Sequence, residues 1–156
     1  MARFDPARAA ELIKAARADA GLTQRALAER VGLAQPSLAQ METGRRTPSA
    51  ELLERVLEAA DYRPSLPLAA HAKEIVAFAA SRHLADVRVF GSTVRGEDHF
   101  DSDVDLLVRV EPGGDFFDIA ALIAEAERLI GFPVDVVSET TRSPIADRIR
   151  AEAVPL

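Results

Sequence analysis

FGSTVRGEDHFDSDVDLLV, residues Phe90 to Val108, is the stretch that decides how this chain is read. Val87, Val89 and Phe90 read as a strand entering a turn at Gly91-Ser92. Ten residues further on stand two carboxylates, Asp103 and Asp105, in the run Ser102-Asp-Val-Asp-Leu-Leu-Val108. Residues i and i+2 of a strand share a face, so the two acids project together. Like charges this close repel unless a cation lies between them. Mg²⁺ suits the task, because it binds through few carboxylates and completes its shell with phosphate oxygens. The Gly-Ser turn offers backbone N–H groups and a hydroxyl to a phosphate, and Gly91 allows close approach. The pattern points to metal-assisted chemistry on a nucleotide.

A lone D-x-D is common on surfaces and in edge strands, so the neighbours matter. Val104, Leu106, Leu107 and Val108 make the strand read as buried, where unpaired carboxylates are costly. A third acid, Asp135, stands in a second short apolar strand, Phe132-Pro-Val-Asp-Val-Val137. If the strands are neighbours, three carboxylates converge. Gly91-Ser92, the ten-residue gap, Asp103-x-Asp105 and the later Asp135 resemble the nucleotidyltransferase superfamily of DNA polymerase beta. The fuller string, Gly91-Ser92-x-x-Arg95-Gly96 and then Ser102-Asp-x-Asp-Leu-Leu-Val108, resembles its minimal nucleotidyltransferase branch, as does the tail Ile149-Arg-x-Glu152-Ala-Val-Pro-Leu156. The resemblance covers roughly residues 70–156. Val94 departs from the branch, which often has Ala there.

The chain has 156 residues, room for one domain or two small ones. It is 48% hydrophobic and 28% charged, as soluble globular proteins are. No stretch is long and apolar enough to span a membrane, and no apolar region follows the N-terminus as in a signal peptide. The absence of cysteine excludes disulfides, thiolate metal sites and a Cys nucleophile. A cytoplasmic location is therefore expected. Net charge is −6, split as +1 over residues 1–65 and −7 over 66–156. The acidic half is a poor platform for passive nucleic-acid binding.

The first half reads as short helices. Asp5-Pro6 opens one carrying Leu12, Ile13 and Ala16, with Gly21 at its stop. Thr23 caps a second with Leu27, Ala28 and Val31, and Gly32 follows at once. A third runs from Gln35 to Thr43, with Leu38 and Met41 inward; Ser49 caps a fourth with Leu52, Leu53, Val56 and Leu57. Two short helices about a Gly-containing turn fit helix-turn-helix geometry, and equally a generic bundle. The string Leu22-Thr-Gln-x-x-Leu27-Ala-x-x-Val31-Gly32-Leu, then Gln35-x-Ser37-x-x-Gln40-x-Glu42-x-Gly44-Arg-Arg-x-Pro48-Ser49, resembles the Cro/C1-type (XRE) helix-turn-helix family over roughly residues 8–62.

That resemblance implies operator double-stranded DNA as a partner. Gln24 would bond a phosphate, and Gln35, Ser37 and Gln40 would face the bases, where Gln pairs naturally with adenine. Arg45 and Arg46 would meet the backbone and add salt-dependent affinity. Glu42 would pair with Arg17 as scaffold. Pro36 departs from the family, which often has a polar side chain there. One such unit has a small footprint, so a homodimer on a two-fold site is expected.

Arg63-Pro-Ser-Leu-Pro67 reads as a two-proline breaker and places the boundary between 1–65 and 66–156. A helix over about 67–83 follows. Then come strand 87–91, turn-helix 92–96, strand 103–110, helix 116–130, strand 133–138 and helix 143–151. The fold class expected is α+β: an all-α helix-turn-helix bundle followed by a small mixed α/β nucleotidyltransferase domain. Phe116-Phe117 is expected in the core. His71, His83 and His99 are scattered without metal-ligand spacing and are expected at the surface.

The nucleotidyltransferase resemblance implies an enzyme. Asp103, Asp105 and Asp135 would hold Mg²⁺ and carry the chemistry, with ATP as substrate. Gly91, Ser92 and Arg95 would bind its phosphates, though Arg95 equally suits a structural ion pair. Minimal nucleotidyltransferases resemble the antitoxin half of HEPN–MNT toxin–antitoxin pairs, which silences a HEPN toxin by adenylylation. A fused XRE unit would make the chain an autorepressor of its operon. The competing expectation is a transcriptional regulator whose nucleotidyltransferase fold only senses nucleotide or docks a partner. A small-molecule nucleotidyltransferase is disfavoured by the lack of room for a helical substrate domain.

Overall fold

The computed structural model describes residues 2–140 and 143–156. The chain divides into two compact units, Met1–Arg63 and Pro64–Leu156. The first is helical. The Asp5 carboxylate accepts from the Ala7 amide at 2.9 Å and caps a 3₁₀ turn, Pro6–Arg8, which leads into α1 (Ala9–Asp19). α2 (Gln24–Val31), α3 (Gln35–Glu42) and α4 (Ala50–Ala59) follow. Thr23 and Ser49 cap α2 and α4 by accepting from the Ala26 and Leu52 amides. Each such cap contributes about 1 kcal/mol. Gly32 takes the left-handed conformation (φ 72°) and ends α2, so α3 can start three residues later.

The apolar stripes meet in one core: Leu12 and Ile13 of α1, Leu27 of α2, Leu38 and Met41 of α3, and Leu53, Val56 and Leu57 of α4 are all buried. Each such side chain contributes about 1.5–3 kcal/mol on burial. One charge is buried with them. Glu42 is 8% exposed and receives Arg17 Nε at 2.5 Å, Arg17 Nη2 at 3.1 Å and Gln24 Nε2 at 3.0 Å. Burial pushes its carboxyl up, but the Arg17 and Gln24 hydrogen bonds outweigh burial and hold it below its ordinary value. Its contribution to stability is therefore present above the ordinary value of 4.5 and is lost as pH falls through the lowered one. Removing one partner of a buried pair costs about 3–5 kcal/mol. Arg17 keeps 21% of its side chain exposed, which screens the pair. Glu42→Gln should therefore cost about 2 kcal/mol at neutral pH. Urea unfolding at pH 7 and at pH 3.5 should show the deficit at the first and a smaller one at the second.

The second unit opens with α5 (Ser65–Ala80). The proline pair opens this helix: Pro64 is the N-cap residue and Pro67 lies in the first turn. Proline is tolerated there because the first helical N–H groups lack intrahelical acceptors anyway. The Ser65 amide is satisfied by the buried Asp98 carboxylate at 2.8 Å. Then come β1 (Leu84–Phe90), α6 (Ser92–Arg95), β2 (Val104–Val110), α7 (Phe116–Ile130), β3 (Val134–Ser138), α8 (Pro144–Glu152) and β4 (Val154–Pro155). The sheet order is β3-β2-β1-β4, with β2 parallel to β3 and β1 antiparallel to both β2 and β4. α5 and α7 pack on each other, α5 on β1 and α7 on β3. The α+β class holds: a helical helix-turn-helix unit, then a small mixed α/β unit.

Three details differ from expectation. β1 starts at Leu84 rather than 87, because Asp86 adopts a left-handed conformation (φ 51°) at a register shift between Ala85 and Arg88. That bulge breaks the alternation that would mark the strand in sequence. β4 is too short for any periodicity. Phe116 and Phe117 are 75% and 78% exposed, not core. The Asp115 capping box fixes them as the first residues of α7, off the stripe Leu122, Ala126 and Ile130 that is buried.

Candidate active site

The sheet register assembles the acids. Asp105 lies across from Phe90 of β1 on one side and from Asp135 of β3 on the other. β1 runs opposite to β2, so its C-terminal turn, Gly91-Ser92, meets the end of the sheet where β2 and β3 begin. Asp103 stands one residue ahead of β2 and turns to the same end. One carboxylate oxygen from each of Asp103, Asp105 and Asp135 lies within 4.8 Å of the others. Asp103 and Asp135 are exposed and Asp105 is half-buried, so the cluster opens to solvent. Burial, then Asp103, then Asp135, push the Asp105 carboxyl above its ordinary value, while Arg95 opposes them.

An all-oxygen, all-anionic donor set fits a hard divalent cation such as Mg²⁺, which tolerates an incomplete protein shell. Gly91 supports that fit. Its backbone (φ 77°, ψ −150°) lies where only glycine is comfortable, and a Cβ there would sit 2.3 Å from Asp105 Oδ2. The turn is thus pressed against the central carboxylate.

Ser92 opens α6 and is half-buried; Arg95 closes it and is exposed. The Arg95 guanidinium is held by Glu97 (Nε to Oε2, 2.8 Å) and Glu152 (Nη1 to Oε1, 2.5 Å). Glu152 drew no role from sequence. It is 57 positions from Arg95, and no local pattern signals such a pair. His83 and His99 are exposed, whereas His71 is half-buried and bonds Glu74 through Nδ1 at 2.8 Å.

In the helical unit, Gln35 and Gln40 are exposed on α3 and Ser37 is half-buried. Gln35 Nε2 donates to Gln24 Oε1 at 2.9 Å, and Gln24 in turn donates to Glu42. A chain of bonds thus runs from Arg17 through Glu42 and Gln24 to the first residue of α3. Arg45 and Arg46 are exposed just beyond α3, with both amides folded back on the Gln40 carbonyl.

Known proteins match both units. A helix-turn-helix family model matches residues 13–66, and a nucleotidyltransferase domain model matches residues 71–154. The chain is 39% identical over 88 residues to the protein adenylyltransferase MntA of Thermococcus cleftensis, across 56% of this chain and 86% of that protein. It is 39% identical over 67 residues to a Methanocaldococcus jannaschii protein provisionally named a protein adenylyltransferase, across 42% of this chain and 72% of that protein. A solved structure, provisionally titled a minimal nucleotidyltransferase, superposes with a TM-score of 0.55 at 40% identity, over 59% of this chain and 95% of that one. A helix-turn-helix unit over residues 13–66 and, over 71–154, the strand–turn–strand frame that gathers three carboxylates make this chain a member of the nucleotidyltransferase domain family, fused to an XRE-type helix-turn-helix domain.

Proposed function

We propose that the chain is an antitoxin-type protein adenylyltransferase that moves AMP from ATP to a partner HEPN toxin and, through residues 1–65, binds its own operator. The observation that carries the catalytic part is the convergence of Asp103, Asp105 and Asp135 beside the Gly91-Ser92 turn. The names of the two relatives support protein as acceptor. The toxin partner and the operator rest on the family resemblance, together with the fused helix-turn-helix unit.

Residues divide the work by position. Asp103, Asp105 and Asp135 would hold Mg²⁺, which when bound supplies charge neutralisation to the phosphates. The Ser92 hydroxyl and the leading amides of α6 would orient the triphosphate, with Arg95 at its side. The acceptor hydroxyl oxygen attacks the α-phosphorus, the bond to the bridging oxygen breaks, and pyrophosphate departs. Asp135, exposed at the start of β3, would take the hydroxyl proton. In the helical unit Gln35, Ser37 and Gln40 face the bases, Gln24 and the two arginines face phosphates, and a homodimer spans a two-fold site.

The deciding experiment is the intact mass of the partner encoded beside this chain, co-expressed with wild type and with Asp103→Asn. An adenylyl-sized increment with wild type and none with the variant is expected, while operator binding by the two is equal. An unmodified partner in both cases, with Mg-ATP bound, would leave a regulator with a nucleotide-sensing or docking domain.

A further inference from the structure

We propose that Glu152 is a positioning residue for the nucleotide: it holds the Arg95 guanidinium at the mouth of the acidic cluster, ready to meet the triphosphate. This rests on the nucleotidyltransferase reading of the site.

The C-terminal segment is built to deliver this carboxylate. α8 ends at Glu152, and β4 then pairs antiparallel with β1, Val154 beside Val89 and Pro155 beside Arg88. Glu152 lies two residues before Val154, and Gly91 two residues after Val89, so this pairing brings the end of α8 toward the Gly91 turn. There it takes Arg95 Nη1 at 2.5 Å, while Glu97 takes Nε at 2.8 Å. Arg95 ends a one-turn helix that packs on β1 and β2 beside the cluster, and Asp105 feels the charges of both Arg95 and Glu152.

The geometry gives Glu152 a purpose that an ordinary surface pair lacks. An exposed arginine samples many rotamers, and fixing it in advance removes that cost from ligand binding. Glu97 and Glu152 occupy Nε and one Nη1 hydrogen. Among the described residues the Nη2 amino group and the second Nη1 hydrogen have no partner and can meet phosphate oxygens. The pair itself is half-exposed, so it adds little to folding stability.

The sign of the effect separates positioning from charge. Glu152 is an anion near the site of a polyanion. If it acted only as a charge, or as a latch withholding Arg95, Glu152→Gln would tighten ATP binding. If it positions Arg95, the same change weakens binding.

The test uses the full chain: Mg-ATP affinity by calorimetry, and ATP kinetics of transfer to the co-expressed partner, for wild type, E152Q, E152D, R95Q and the double variant. Expected for E152Q is a roughly tenfold higher Kd and KM for ATP with kcat within about twofold, partly restored in E152D. In the R95Q background E152Q should produce no further weakening. Thermal midpoints should stay within about 2 °C of wild type. Unchanged or tighter Mg-ATP binding by E152Q, or weakening that persists without Arg95, overturns the proposal. Wild type that binds Mg-ATP but modifies no partner overturns the transfer reading alone, and the affinities still decide Glu152. Wild type that binds no Mg-ATP overturns both.

Discussion

Asp105→Asn should lower adenylyl transfer by about 10³-fold or more while leaving the metal-free protein at least as stable as wild type. The two effects share one cause. Asp105 is the central acid of the cluster, flanked in register by Phe90, the residue before the Gly91 turn, and by Asp135. Burial and the charges of Asp103 and Asp135 raise its folded value above the ordinary 3.8. For a raised acid, the folded state binds the proton more tightly than the unfolded one. Stability is then lost as pH rises from the ordinary value through the raised one. At neutral pH wild type bears that cost and the isosteric amide does not. Asn also accepts with one oxygen instead of two and carries no charge, so it holds a divalent cation poorly. Differential scanning at pH 7 should show Mg²⁺ raising the midpoint of wild type and not of the variant, with the metal-free variant melting at or above wild type. A variant that keeps its Mg²⁺ response would remove Asp105 from the metal site.

Much of this arrangement is legible in the sequence. The Gly91-Ser92 to Asp103-x-Asp105 spacing is local, and Asp135 stands in an apolar run, so each acid could be placed on an element. Their convergence was conditional on β2 and β3 being neighbours, which a parallel pairing separated by α7 supplies. What escaped were features with no local signature. The Asp86 bulge hides the first half of β1, because a left-handed residue interrupts the alternation by which strands are recognised. Glu152 meets Arg95 only because a two-residue strand docks at the sheet edge. Phe116 and Phe117 are apolar by type and exposed by position, which helix phase decides and composition does not. Gln24 shows a different limit. The family pattern marks it as a phosphate contact, whereas in the structure it bridges Glu42 and Gln35, a scaffold role that the pattern does not signal.

The second large effect is expected from a single methyl group. Gly91→Ala should reduce transfer by roughly 10²–10³-fold and destabilise the second unit by about 2–4 kcal/mol. Two costs add. The backbone at φ 77°, ψ −150° lies in a region that a Cβ disfavours by about 1–3 kcal/mol. The Cβ would also stand 2.3 Å from Asp105 Oδ2 and 3.2 Å from its Cγ. The strand on either side pins the Asp105 backbone, so the carboxylate yields by leaving its present place in the cluster. Gly96 provides the control. It is also left-handed (φ 68°), but a Cβ there meets nothing within 4 Å. Gly96→Ala should cost about 1–2 kcal/mol of backbone strain and leave transfer within a few-fold of wild type. The two costs at Gly91 can be separated by placing the substitution in an Asp105→Ala background, where no carboxylate remains to be displaced. Urea unfolding should then show Gly91→Ala costing only its backbone share. If the penalty is the same in both backgrounds, Gly91 is required for its conformation alone, and the close approach to Asp105 carries no energy.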